Sequence, residues 1–374
     1  MNKRKMLLIG CGKAGNKLVN EMLRQDNRYT GLFVNSSYND MAGLSNFRED
    51  KAFLFTGVNG SGRNREKAKE YVVDQLDSLV DVITSYPLQD VITVFTSTDG
   101  GTGSGVTPML IQALKFSYGQ KKLERKINLV AVLPDYGIED KVAYDNTLHF
   151  WNDIMEIKDS CLDNIIFVDN SKGRNYAEIN SKVVTALDNS YSMNGTSDVG
   201  DIDDNDANTF NTGKGFGLVL TLEEGYSNDK QAIDMAIKNS VFVLPDSNTD
   251  YTCRYLGISL KEDFETKDKS YNTAKIRNCF ENVSGTVYQT YNNYHNTVVL
   301  SGLKPPKDTI NLIKVQLDDM NKRQESIVDD SDLFIDLGEK KGKNANKPEE
   351  KASKPTFTKN DIGDITNTLR KMFK

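Results

Sequence analysis

A chain of 374 residues, 38% hydrophobic and with a net charge of −6, is long enough for two packed domains and a tail. It lacks the apolar run of ~18 residues that a membrane-crossing helix needs. Four scattered cysteines (Cys11, Cys161, Cys253, Cys279) and only two histidines, His149 and His295, exclude a zinc cluster and a His-based nucleophilic triad, leave no metal ligands to assign, and suit free thiols in a reducing cytoplasm.

KMLLIG (5–10) reads as a first strand rather than a signal peptide. It runs into Gly10-Cys11-Gly12-Lys13-Ala14-Gly15-Asn16 and a helix with Leu18, Val19, Met22 and Leu23 on one face. Gly-x-Gly-x-x-Gly between a strand and a helix is an anion cradle. A dinucleotide-binding unit would place a carboxylate at the end of the next strand. That strand, GLFVN, ends instead in Asn35-Ser36-Ser37, which counts against a nicotinamide cofactor and an oxidoreductase. The strand KAFLF (51–55) leads to Gly57-Val58-Asn59-Gly60-Ser61-Gly62-Arg63-Asn64 and one long helical stretch through Ile83. That loop suits a terminal phosphate, and Arg63 reads equally as a solvated loop charge.

The organising stretch follows the apolar run VITVF (91–95): Ser97-Thr98-Asp99-Gly100-Gly101-Thr102-Gly103-Ser104-Gly105, then a helix beginning at VTPMLIQALKF. Glycines let backbone N–H groups reach an anion, Thr98, Thr102 and Ser104 add hydroxyls, and Pro108 is expected in the first helical turn, where a missing N–H costs nothing. No Gly-Lys-Ser/Thr closes the motif, so it is not the common P-loop.

INLVAVLP (127–134) is a strand, and the helix after it is expected to turn Val142, Leu148, Trp151, Ile154 and Met155 inward. DNIIFVDNSK (163–172) is a strand, and NYAEINSKVVTALDNSYSM a long helix. Strands alternating with helices imply a doubly wound, mostly parallel sheet with its ligand at the strands' carboxyl ends. Gly195–Asn208 holds Asp198, Asp201, Asp203, Asp204 and Asp206; it reads as an acidic linker, without the glutamate of a calcium loop. FGLVLTLEE, a helix near 230–239, VFVL, CRYLGISL, GTVYQTY and NTVVLSGL suggest a strand-rich α+β region closed by a helix over 308–323.

Residues 338–374 hold ten Lys/Arg against five Asp/Glu, so the rest of the chain carries −11. An acidic body argues against direct DNA binding by the folded part. Residues 338–360 read as disordered, and Ile362, Ile365, Leu369, Met372 and Phe373 recover a helical apolar face. The expected fold is thus α/β, with a nucleotide domain over 1–195 including a long central helix. An acidic loop region (196–214), a smaller α+β domain (215–325) and a basic tail (326–374) complete it.

The Gly-rich signature and the Gly10–Asn16 turn resemble those of the tubulin/FtsZ family of GTPases, with Asp99 where that family has a small residue. The order of parts over roughly 1–325 is similar to that family, and FVDNSK, the acidic loop and the tail look like its plasmid- and phage-borne segregation branch. The resemblance implies a head-to-tail filament that binds GTP/GDP with Mg²⁺, hydrolyses GTP at subunit junctions and partitions DNA. It implies no membrane partner, with the tail docking a DNA-bound adaptor protein. It places Gly10, Cys11, Gly12 and Asn16 against the diphosphate, and Gly100, Gly101, Thr102, Gly103 and Ser104 on the α- and β-phosphates. Gly60, Ser61, Gly62 and Arg63 fall at the γ-phosphate, Pro134, Asp135 and Glu139 beside the ribose, and Asn170 and Asn180 on guanine. Asn35, Thr98 and Asn146 complete the nucleotide set. Asp203 and Asp206 are the expected hydrolytic carboxylates, with Asp201 and Asp204 at the same spacing as the other choice. Filaments for cell division or phage positioning, and a non-hydrolysing scaffold, are the rival readings.

Overall fold

The run Met6–Cys11 forms a strand, β1, buried at every position, as a parallel strand covered by helices on both faces must be. The computed structural model describes residues 1–328 apart from 122–123, 247–250, 281 and 293; the expected features of 338–374 lie outside the described residues. Beside β1 stand β2 (Thr30–Asn35), β3 (Ala52–Leu54), β4 (Val91–Ser97), β5 (Lys126–Leu133) and β6 (Asn164–Asp169). All are parallel, in the order β3-β2-β1-β4-β5-β6. The order reverses between β1 and β4, which is where open α/β sheets bind ligands. The hairpin β7 (Gly195–Ser197) and β8 (Gly200–Ile202) is separate. β9 (Gly215–Thr221) adds in parallel to β6. Beyond it β10 (Cys253–Lys261), β11 (Val283–Asn292) and β12 (Thr297–Leu303) carry the same sheet to ten strands, in the order β9-β12-β10-β11.

The helices are α1 (Gly12–Gln25), α2 (Asn39–Ala42), α3 (Arg65–Val73), α4 (Leu76–Thr84), α5 (Gly101–Gln120), α6 (Lys141–Cys161), α7 (Tyr176–Tyr191), α8 (Asp204–Asn211), α9 (Asp229–Lys238), α10 (Thr273–Arg277) and α11 (Lys307–Val328). α1 packs on β1, β2, β4 and α7, whereas α5 packs among α3, α4 and α6. The central helix α7 buries Ile179, Val183, Val184, Leu187 and Tyr191, as its spacing predicts, and touches β9, β12 and α8.

Several expectations change. The stretch after Asn64 is two helices, because Gln75 leaves helical geometry (φ −123°, ψ 1°) and its amide binds Thr56 N at 2.8 Å and Thr56 O at 3.1 Å. α5 starts at Gly101, so Pro108 lies inside it rather than in its first turn. The Ser104 carbonyl that Pro108 cannot serve accepts the Arg65 Nε at 3.2 Å, which pairs the acceptor that an interior proline leaves open. Of the residues expected to face inward from α6, Ile154 is buried, Leu148, Trp151 and Met155 are half-buried and Val142 is exposed, while Ala143, Tyr144, Asn146, Thr147, Phe150 and Ile157 complete the buried face. VFVL contributes one bridge, Phe242 to Val168, and no strand. The acidic linker is folded into β7, β8 and the start of α8.

The last turn of α7 is held by charge. Lys3, buried, donates through Nζ to Asp188 at 2.6 Å and to Asp26 at 3.0 Å, and the Tyr29 hydroxyl donates to Asp188 at 2.7 Å. Arg28 and Lys3 together hold the Asp26 carboxyl well below the usual carboxylate range. The Met1 ammonium donates to Tyr191 O and Asn194 Oδ1, both at 2.9 Å, and lies 3.3 Å from Asp204. Burial pushes that ammonium below its ordinary value, with Asp204 opposing.

Candidate functional site

Helix first turns leave unpaired amides that must find acceptors. In α3, α6, α7 and α9 the Asn64, Asp140, Asn175 and Asn228 side chains supply them. In α1 and α5, the helices leaving β1 and β4, the N-cap residues are Cys11 and Gly100, and no side chain caps either. Two uncapped N-termini converging on a switch point favour an anion. Gly12 makes the tight exit from β1 in the left-handed region (φ +72°), and a Cβ there would come within 3.0 Å of Gly103 N. At Gly15 a Cβ would lie 2.0 Å from Phe95 O, so only glycine lets α1 rest on β4.

Between these turns lies a cleft of about 570 Å³, within the ~300–1,000 Å³ range of small-molecule sites. Of the residues assigned from sequence, it is lined by Gly12, Asn35, Gly60, Ser61, Gly62, Arg63, Gly100, Gly101, Thr102, Gly103, Glu139, Asn170 and Asn180. Gly10, Cys11, Asn16, Thr98, Ser104, Pro134, Asp135 and Asn146 are not among the lining residues. Several of these support the cleft from behind. Asn16 exchanges two hydrogen bonds with Val34 and straps α1 to β2. Thr98 donates to Val132 O at 3.2 Å, and the Ser104 hydroxyl donates to Gly100 O. Asn146 donates to the Arg63 and Asp99 carbonyls, both at 2.9 Å. The Cys11 thiol is fully buried, and burial pushes it up to about 12.

Lining residues that sequence reasoning did not assign to the nucleotide include Lys13, Lys17, Ser36, Asp40 and Tyr176. Lys13 and Lys17 were findable, being a helical turn apart at the start of α1; Ser36 and Tyr176 carry no local signal. Thr102 accepts and donates among Ser36, Ser61 and Tyr71 hydroxyls at 2.7, 3.2 and 3.1 Å. Tyr176 donates to Glu139 at 3.1 Å. The buried Asn35 Nδ2 has no partner among the described residues, although its Oδ1 accepts Ser36 N–H at 2.8 Å. An unpaired buried donor in a cleft wall calls for an acceptor on a ligand, so the residues present fit a nucleotide's oxygens.

The expected hydrolytic carboxylates are elsewhere. Asp203 and Asp206 form a reciprocal capping box at the start of α8, Asp204 accepts from Asn194 at 2.6 Å, and Asp201 is exposed on β8. All follow the last turn of α7, whereas Tyr176 and Asn180 of its first turns line the cleft. Sixteen residues of helix at 1.5 Å each put about 24 Å between those ends. One chain does not bring its cleft and its acidic segment together.

Comparison with known proteins points to one class. Residues 5–177 match the Tubulin/FtsZ family, GTPase domain. Among individual relatives it is 25% identical over 339 residues to the tubulin-like protein TubZ of a Clostridium botulinum C phage, covering 89% of this chain and 88% of that one. It is 26% identical over 269 residues to the tubulin-like protein CetZ of Methanothrix thermoacetophila, covering 63% and 68%. In fold it is similar to the tail-truncated Clostridium botulinum phage c-st TubZ, with a TM-score of 0.76 at 23% identity over 86% of this chain and 100% of that one. It is also similar to Bacillus thuringiensis serovar israelensis TubZ in a GTPγS-form protofilament, with a TM-score of 0.71 at 18% identity over 87% and 94%.

Proposed function

We propose that this chain is a cytoplasmic, GTP-dependent filament protein that hydrolyses GTP to GDP and phosphate where two subunits meet, and that it serves partition of plasmid or phage DNA. The observation that carries the reading is the separation just described: an uncapped phosphate cradle at one end of α7 and a cluster of carboxylates at the other. Head-to-tail stacking would place one subunit's acidic segment over the next subunit's cleft, completing a site that neither has alone. The relative from Bacillus thuringiensis is known in GTPγS- and GDP-form protofilaments and as a two-stranded filament, and CetZ1 from Haloferax volcanii as a GDP-bound monomer, which supports both the ligand and self-association.

In this reading the first-turn amides of α1 and α5 hold the α- and β-phosphates, the Gly60–Arg63 loop faces the γ-phosphate, and Asn35 Nδ2 donates to the nucleotide. Asn170 and Asn180 offer amides that can donate to guanine O6 and accept from its N–H groups. Mg²⁺ would ride on the phosphates and neutralise charge as the terminal group transfers to water. Asp203 and Asp206 of the neighbouring subunit orient that water.

Pelleting and phosphate release, measured together across protein concentration with GTP, ATP and a slowly hydrolysed GTP analogue, test this. Polymer should appear with guanine triphosphates only, and phosphate release should rise only above the same critical concentration. Release linear from the lowest concentration would place the whole site within one subunit. Asp203→Asn and Asp206→Asn keep an oxygen for the capping box, so folding should persist while turnover falls about 10²–10⁴-fold, the usual worth of a group assisting proton transfer. Unchanged turnover would leave the two aspartates a purely structural role. The basic tail docks a DNA-bound adaptor protein; removing residues 338–374 should abolish adaptor capture in a pull-down and spare polymerisation, and retained capture would refute the docking.

A further inference from the structure

α8 carries part of the acidic segment at its first turn, and its firmest attachment lies at the other end. Phe210 and Asn211, its last two residues, are both buried and key into different halves of the sheet. The Phe210 ring stands 5.6 Å from that of Tyr288 on β11, and a Cβ on Gly257 of β10 would come within 3.1 Å of it. Asn211 binds α7 and the parallel half. Its Nδ2 donates to Ser190 O of α7 at 3.0 Å and to Ala207 O at 2.9 Å. Its carbonyl accepts from two further buried amides, Asn128 Nδ2 of β5 at 3.2 Å and Asn164 Nδ2 of β6 at 3.0 Å. Asn128 and Asn164 stand near the amino ends of their strands, the edge of the sheet opposite the cleft. Three buried asparagines are a costly way to hold a helix. The Asn128 and Asn164 Oδ1 atoms have no partner among the described residues, and an unpaired buried acceptor is destabilising where an apolar side chain would not be. What directional bonds supply, and apolar packing does not, is one fixed pose.

Resting on the reading in which Asp203 and Asp206 serve the neighbouring subunit's nucleotide, we propose that Asn211 is a positioning residue for hydrolysis. It sets the pose of α8, and through it the two aspartates, with Asn128 and Asn164 as its fixed supports. At the first turn of α8 the contacts from Asn194 and the Met1 ammonium fall on Asp204, which is exposed; the buried anchor is at Asn211. The helix is eight residues long, about 12 Å at ~1.5 Å per residue, so a tilt of about 5° at the Asn211 end displaces its start by about 1 Å. A displacement of that size in a reacting group is worth about a hundredfold in rate. The network is buried within one subunit, so loosening it spares assembly and slows the chemistry.

The test sets phosphate release per polymerised subunit against the critical concentration, the latter from pelleting of the full chain with a slowly hydrolysed GTP analogue. Asn211→Ala removes the two side-chain bonds, whereas Asn128→Ala combined with Asn164→Ala frees the Asn211 carbonyl and leaves that side chain intact. Both proteins should release phosphate about ten- to a hundredfold more slowly per polymerised subunit, with critical concentration and GDP affinity close to wild type. Asn128→Ala or Asn164→Ala alone leaves the carbonyl one donor and should fall between wild type and the pair. These single variants carry the same test if the larger changes do not fold. Ile83→Val, a buried trim on α4 outside the network, is the control for lost stability: its urea midpoint should drop while its release stays normal. Release that falls only as far as the polymer or the urea midpoint falls would make Asn211 a purely structural residue and overturn the proposal, as would normal release from the paired variant. Slow release from Asp203→Asn and Asp206→Asn with normal release from every asparagine variant would leave the aspartate reading in place without the positioning role. Normal release from the aspartate variants would overturn both.

Discussion

The two ends of α7 are built on opposite principles. At its first turn the cleft is made of backbone: uncapped helix amides, a left-handed Gly12, and a buried Asn35 amide with hydrogen-bonding capacity left over. At its last turn the chain is held by charge turned inward, with Lys3, Asp26, Asp188 and Tyr29 satisfying one another and the Met1 ammonium held by Tyr191 O, Asn194 Oδ1 and Asp204. Unused donors mark a place waiting for a ligand, whereas mutually satisfied charges mark a place whose geometry is being fixed. The difference teaches that a carboxylate-rich segment need not be a loose one, and that Asp203, Asp204 and Asp206 can cap and pair while one oxygen of each stays available.

The sharpest break would come from Lys3→Met. It strands Asp188 in a buried site, and removing one partner of a buried pair costs about 3–5 kcal/mol, to be read from the urea midpoint. Lys3→Met combined with Asp188→Leu should recover most of that loss, because a well-packed apolar pair can match a buried ion pair. A harmless Lys3→Met would mean that charge does not hold this end.

His295 sharpens the same point through pH. Burial lowers it to about 4 from an ordinary 6.5, with Asp188 and Lys3 acting on it in opposite senses. The folded state therefore resists its protonation. Its contribution is full above pH 6.5 and is lost as pH falls through about 4, up to about 3 kcal/mol. His295→Gln should flatten the stability profile in that window relative to wild type; parallel profiles would remove His295 from the account.

The smallest effect is expected in the cleft. Gly12→Ala imposes a left-handed alanine, about 1–2 kcal/mol, together with the approach to Gly103. The thermal midpoint should drop by a few degrees, and added GTP analogue should restore less of it than in wild type. Full restoration would show that the turn tolerates a side chain.

Most of the parallel half of the sheet was legible, because unbroken runs such as Met6–Ile9 and Ile127–Leu133 leave buried parallel strands as the economical reading, and the glycine turns announce themselves. What misled was always a partner distant in sequence. Pro108 looks like a helix start until Arg65 is seen serving the carbonyl it orphans. Gln75 reads as mid-helix until Thr56 claims its amide. Asn16 suits a phosphate contact by position, yet Val34 occupies both ends of its amide. The Asp203–Asp206 spacing did carry a capping signal, but five aspartates in so short a stretch read more easily as a linker.

The acidic hairpin has one more consequence. β11 is an outermost strand of the sheet, and β7 and β8 lie against it. The Tyr291 amide donates to Ser197 Oγ at 3.2 Å, the Gln289 side chain donates to Val199 O at 3.3 Å, and a Cβ on Gly200 would meet Gln289 O at 2.7 Å. Bare edge strands zip to one another indiscriminately. The hairpin is thus a hem stitched over a raw border, and trimming it would let molecules clump side by side. Sedimented material from such a trimmed protein would be amorphous precipitate, and only microscopy would tell it from ordered polymer.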